Sequence, residues 1–120
     1  MNTKLIAFAA ASMLVAMPAF AQAPLFFRCH ETARNKDFYY RIGPTEFIAS
    51  KPAVEGQAAI WYENQCKNYQ TACTWEKGVL TLRDKTFLQV FDTNTGIYRM
   101  GPLRVGLDTT LECVRLTTPP

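Results

Sequence analysis

Along most of the chain, apolar and polar residues alternate with the two-residue period of a β-strand. In "LFFRCH" (25–30), Leu25, Phe27 and Cys29 share one face. In "DFYYRIG" (37–43), Phe38, Tyr40 and Ile42 alternate with Tyr39 and Arg41. A Gly43-Pro44 turn precedes "TEFIA" (45–49), and residues 50–56, with Pro52 and Gly56, read as a loop. "QAAIWYE" (57–63) is predicted as a further strand. "VLTLRDKTFLQVF" (79–91) predicts a hairpin around Arg83-Asp84-Lys85, and "DTNTG" (92–96) predicts a turn. "IYRM" (97–100) continues as strand until Gly101-Pro102 interrupts it, and "TTLECVRL" (109–116) is the last. No long stretch repeats with the period of a helix. About eight short strands separated by turn signals predict an all-β fold, a small antiparallel barrel or sandwich.

The first 21 residues break this pattern. Lys4 precedes an apolar run from Leu5 to Ala16, and Pro18 is followed by Ala19-Phe20-Ala21, a small-x-small cleavage site. The run is about 12 residues, short of the roughly 20 that span a bilayer. A signal peptide over residues 1–21 and a single domain over residues 22–120 are therefore expected, in a periplasmic or secreted protein without a membrane anchor. The whole chain has 13 basic and 10 acidic residues. Removing Lys4 with the leader leaves a mild positive excess, with no basic cluster of the kind nucleic acid requires.

Four cysteines, an even number in a small exported chain, predict two disulfides. The expected pairing is Cys29–Cys113 and Cys66–Cys73. Seven residues span about 10.5 Å in a helix and about 23 Å in a strand, whereas bridged Cα atoms lie within about 7 Å. The chain must therefore reverse between Cys66 and Cys73, and Asn68, Gln70 and Thr71 suit a turn. If those cysteines were direct cross-strand partners, Glu63 would oppose Glu76, an unfavourable like-charge pair. The strands behind the disulfide are expected to diverge, or the loop to be irregular.

Candidate chemistry is sparse. Cys66-x6-Cys73 is not a zinc spacing, His30 is the sole histidine, and no C-x-x-C occurs. No cofactor and no metal are expected. Ser50 is the only serine after the leader, and a Ser50–His30 pair lacks a nucleophile-elbow signature. Glu63, Glu76, Asp84, Asp92 and Asp108 offer carboxylates, but a chain this short has little bulk for a deep sugar cleft. The residues favour a non-enzymatic role. Two surfaces are candidates for binding. Lys67, Asn68, Tyr69 and Gln70 lie inside the expected small disulfide ring, where closure lowers the entropy lost on docking. Thr95, Gly96, Tyr98 and Arg99 form or leave the second turn. The alternatives are a stapled hairpin tip without a partner, and an ordinary hairpin with Tyr98 in the core.

An exported chain with "FFRCHE" near the mature start, "LECVRL" near the end and "TGIY" (95–98) between them resembles the periplasmic or membrane-bound inhibitors of c-type lysozyme. These are small disulfide-stapled β-barrels with a Ser-Gly-x-x-Tyr-like loop that enters the lysozyme cleft. The resemblance implies that Thr95, Gly96 and Tyr98 are the matching positions. Here Thr stands for Ser, the tyrosine spacing is one residue shorter, and "WEKG" (75–78) precedes the loop instead of following it. The leading expectation is a binding protein that inhibits or caps another protein, such as a cell-wall hydrolase. A second is an envelope-glycan-binding module or small hydrolase using Trp61, Trp75, Tyr62 and surface carboxylates. A third is an envelope structural or stress protein without a discrete ligand.

Overall fold

The computed structural model describes residues 23–120. The leader expected over residues 1–21 lies outside the described residues. Eight strands follow in chain order: β1 Leu25–Glu31, β2 Lys36–Gly43, β3 Glu46–Ala49, β4 Ala72–Glu76, β5 Val79–Arg83, β6 Phe87–Asp92, β7 Ile97–Pro102 and β8 Thr109–Leu116. A short 3-10 turn, Gln65–Lys67, precedes β4. All pairings are antiparallel, in the spatial order β3-β2-β1-β8-β7-β6-β5-β4. Chain neighbours pair throughout except β3 and β4, which form the two edges. The first and last strands meet in the middle.

The sheet curls into a half-barrel, and the core shows why it must. Tyr40 on β2 lies three strand positions from Tyr98 on β7, yet their rings are 5.2 Å apart. Phe27 on β1 meets Phe91 on β6 at 4.8 Å, and Phe47 on β3 meets Tyr98 at 5.6 Å. These contacts join strands that are not neighbours, so the inward faces fold toward one another. The alternation in the sequence supplies the apolar face: Phe27 and Cys29, Tyr40 and Ile42, Leu80 and Leu82, Phe91 and Tyr98 are all buried. Each large side chain removed from water contributes about 1.5–3 kcal/mol.

Both expected disulfides are present. Cys29 and Cys113 are directly paired on β1 and β8, with Cα atoms 4.2 Å apart. This bond links the chain ends at the centre of the sheet. Cys66 and Cys73 join the 3-10 turn to β4, with Cα atoms 5.6 Å apart.

Two local expectations need correction. Residues 57–63 do not form a strand. They run antiparallel to β3 with one bridge, Ser50 to Trp61, and with Tyr62 N donating to Ala49 O at 2.8 Å. Ile60 and Tyr62 are exposed, and Trp61 leans on Phe26, an outward residue of β1, at 6.2 Å. The segment thus has too few inward apolar side chains to extend the curled sheet. The eighth strand is instead Ala72–Glu76, with Cys73 and Trp75 packed against the core. A two-residue turn, Lys77-Gly78, with both φ positive, joins it to β5. Cys66 is not in a strand, and Glu76 faces Val79 rather than Glu63, in keeping with the irregular loop expected from the like-charge conflict. Finally, Gly101-Pro102 does not interrupt β7. A Cβ at Gly101 would stand 1.9 Å from Gly106 O, so glycine lets the following loop lie directly on the strand.

Candidate functional site

The loop ahead of β4 is held from three directions. Asn64 sits beside the exposed edge of β3, where its side chain replaces a backbone partner. Its Oδ1 accepts from Phe47 N at 2.9 Å and from Cys66 N at 3.0 Å, and its Nδ2 donates to Thr45 O at 3.1 Å. The same asparagine thus satisfies the edge and caps the 3-10 turn. Gln65 Oε1 accepts from Gln89 Nε2 at 3.1 Å. The disulfide then fixes Cys66 to β4. Between the cysteines, Asn68 N donates to Gln65 O at 3.1 Å and Thr71 N to Asn68 O at 2.9 Å. Gln70 N donates to Asn68 Oδ1 at 2.9 Å. The segment is a pair of linked turns bridging the two sheet edges.

What this loop presents is mainly Tyr69, which is 92% exposed. Gln70 Nε2 donates to its hydroxyl at 3.2 Å. Lys67, Asn68 and Gln70 are also exposed, while part of the Asn68 side chain holds the turn together. Tyr62, 56% exposed, and Tyr69 both line an open groove of about 920 Å³ with Ala49, Glu63 and Lys67. Of the four residues expected on this loop, Lys67, Asn68 and Tyr69 line the groove, and Gln70 is tied to Tyr69 by its hydrogen bond. Tyr62 joins them from outside the ring.

The other expected set divides. Thr95 and Arg99 are exposed, whereas Gly96 is buried and Tyr98 is 4% exposed within the aromatic core. Gly96 has φ 78° and accepts from Cys113 N at 2.8 Å. A Cβ there would stand 2.4 Å from Cys113 O, so the glycine is demanded by the sheet itself. Tyr98 donates its hydroxyl to Gln89 Oε1. Burial pushes the ionisation of Tyr98 upward, and that of Tyr40 up to about 12. The 92–96 turn packs on the turn after β4: Thr93 Oγ1 donates to Gly78 O at 2.6 Å and Asn94 Nδ2 to Lys77 O at 2.9 Å. The two candidate surfaces therefore lie beyond opposite ends of β4.

The groups considered for catalysis are engaged separately. The Ser50 hydroxyl donates to Lys51 O at 2.7 Å and accepts from Tyr39 N at 2.8 Å. His30 Nδ1 lies 2.7 Å from Asp37 Oδ1, and Arg28 Nε is 3.3 Å from the other oxygen. Asp84 Oδ1 accepts from Thr86 N and Phe87 N, which hold its carboxyl below the ordinary aspartate range. Glu63 and Glu76 are exposed, and Asp92 closes its turn by accepting from Asn94 N at 2.9 Å. Among the described residues, no group of three or more His, Cys, Asp or Glu side chains is arranged to hold a metal ion.

Gln65 and Gln89 escaped the sequence reading. A signal for Gln89 was present: in "FLQVF" it shares the parity of Phe87 and Phe91, which places a polar amide on the core face. No protein-family profile matches the chain, and no curated protein or solved structure matches it.

Proposed function

We propose that the chain is an exported, non-enzymatic binding protein that docks on another protein through the Cys66–Cys73 loop. The observation that carries this reading is Tyr69, 92% exposed at a position where the backbone is fixed by a disulfide and by consecutive turns. A large, stiff, amphipathic ring left in water has no role in the core. On a pre-ordered loop it meets a partner with little further entropy loss. Tyr62 and Lys67 flank it along the groove and widen the contact. Two disulfides suit an oxidising compartment outside the cytoplasm.

Docking of this kind is how an inhibitor or cap would act, and cell-wall hydrolases, including a c-type lysozyme, are the first partners to try. A lysozyme contact of the kind made by the resembling family would run through Thr95 and Arg99 rather than Tyr98, which is buried. The test is saturable binding of the oxidised protein to immobilised envelope hydrolases, compared with Tyr69→Ala and with Thr95→Ala. Tyr69→Ala is expected to weaken binding by about thirtyfold, the effect of losing a hot-spot side chain of about 2 kcal/mol. Loss on Thr95→Ala alone would move the site to the opposite end. Saturable binding of purified peptidoglycan, abolished by Trp75→Ala, would replace the protein-docking reading with a glycan-binding one. Trp75 lines a second depression of about 570 Å³ with Leu25, Pro44 and Lys77.

A further inference from the structure

Gln89 sits on β6 facing the core, two residues before the fully buried Phe91. Gln89 is partly buried there, where a side-chain amide is favoured when both its ends are satisfied. They are, by two different parts of the molecule. Its Oε1 accepts from the hydroxyl of Tyr98 on β7, and its Nε2 donates to Gln65 Oε1 at 3.1 Å, in the 3-10 turn. The order of donors follows from Tyr98. Its hydroxyl is buried and protonated, so it needs an acceptor. Gln89 must then turn its oxygen toward β7 and its NH2 toward the loop, and Gln65 must receive it with its own oxygen.

We propose that Gln89 is a positioning residue for the Cys66–Cys73 loop, through which the aromatic core sets the orientation in which Tyr69 is presented. Asn64 ties the turn to β3, and the disulfide ties it to β4. A disulfide fixes a separation but permits rotation about its own bonds. Among the described residues, Gln65 to Gln89 is the one side-chain hydrogen bond from the turn to the half of the sheet formed by β4–β8. It acts on the residue whose carbonyl receives Asn68 N, so turning Gln65 turns the linked turns that carry Tyr69. Tyr98, expected from the sequence to touch a partner directly, serves the surface from within. The functional consequence rests on the loop being the docking surface, but the mechanical claim is measured without a partner.

The experiment is amide hydrogen exchange on the oxidised protein, comparing wild type with Gln89→Leu, Gln65→Ala and the double variant. The reporters are Lys67, Asn68 and Thr71, whose amides are bonded within the loop, against amides of β1 and β2. Each single variant is expected to speed loop exchange about tenfold, the factor one net hydrogen bond carries. The β1 and β2 rates stay within about twofold, and the double variant adds little to either single one. Gln65→Ala lies at the half-buried turn, so it reads the same link if Gln89→Leu perturbs the core. Unchanged loop rates in both single variants would overturn the proposal. So would equal acceleration of loop and strands, the mark of a purely global loss of stability. If Tyr69→Ala leaves partner binding intact while these rates still change, the docking assignment fails and the positioning link stands.

Discussion

Gly96 and Asp84 show how single residues fix turns that the strands depend on. At Gly96 two demands coincide: a left-handed backbone and a β8 carbonyl 2.4 Å from where a Cβ would lie. Gly96→Ala therefore costs about 2 kcal/mol or more, read as a lower midpoint in equilibrium urea unfolding. A loss near zero would mean that β7 and β8 shift apart freely. Asp84 holds the β5–β6 turn as a carboxylate, through the amides of Thr86 and Phe87. Its folded pKa lies below its unfolded value, so its contribution is full above about pH 3.9 and fades as pH falls through the folded pKa. Asp84→Asn keeps an acceptor oxygen but no charge. The gap in melting temperature between wild type and variant, present at pH 7, should close toward pH 2. A gap constant with pH would remove the charge from the account. Tyr40 and Tyr98 have the opposite sign. Their raised pKa values leave stability full below about pH 10, to be lost as pH rises toward 12 and beyond. In an alkaline titration, two of the five tyrosines should ionise only as the strand circular dichroism disappears.

At the scale of elements, parity was legible wherever an apolar face met a turn signal. β1, β2, β8 and the β5–β6 hairpin follow the alternation in the sequence almost to the residue, and Cys29 and Cys113 fall on inward positions because Phe27 and Leu111 do. The β3–β4 connection was not legible in this way. "QAAIWYE" has strand-forming residues, but it lies outside the curl, where Trp61 finds Phe26 rather than the core. "ACTWE" has only two inward side chains, yet it is a strand because Lys77-Gly78 folds it onto β5 and the disulfide fixes its start. Tertiary closure decided between them, and it depends on partners remote in sequence. The candidate site followed the same division. The ring of Lys67 to Gln70 was read from cysteine spacing, while Tyr62, Gln65 and Gln89 came together only through the fold. The small disulfide has a matching energetic role. Cys66→Ser with Cys73→Ser should cost at most about 2.5 kcal/mol, the chain-entropy value for an eight-residue ring. Unfolding should stay a single cooperative transition. A fully unfolded variant would show that the loop is part of the core rather than an attachment to it.

The described residues form two meanders, β1–β3 and β4–β8, joined by the pairing of the first and last strands, and the two disulfides differ because of where that topology puts them. The Cys66–Cys73 bond lies at the seam, with both cysteines partly exposed. The Cys29–Cys113 bond lies at the centre of the sheet, with Cys29 fully buried, Cys113 partly exposed, and β2 and β7 flanking the pair. A thiolate reaches the first through a local opening of the loop. At the second, Cys29 is reached only if β1 and β8 separate, which breaks the inward row of Phe27, Tyr40 and Phe91 and approaches global unfolding, so attack is confined to the partly exposed Cys113 side. The chain-entropy model places the larger ring at about 4.6 kcal/mol, so its loss also removes more of the net stability. Under native conditions, limited treatment with a dithiol followed by alkylation should label Cys66 and Cys73 first, at least about tenfold faster than Cys29 and Cys113. Mass mapping of the alkylated peptides reads the order directly. After the first bond is reduced, the strand circular dichroism should persist; after the second, it should collapse. Simultaneous labelling of all four cysteines would mean that the seam and the centre open as one unit, and that the 50–71 connection closes the half-barrel as firmly as the β1–β8 pairing does.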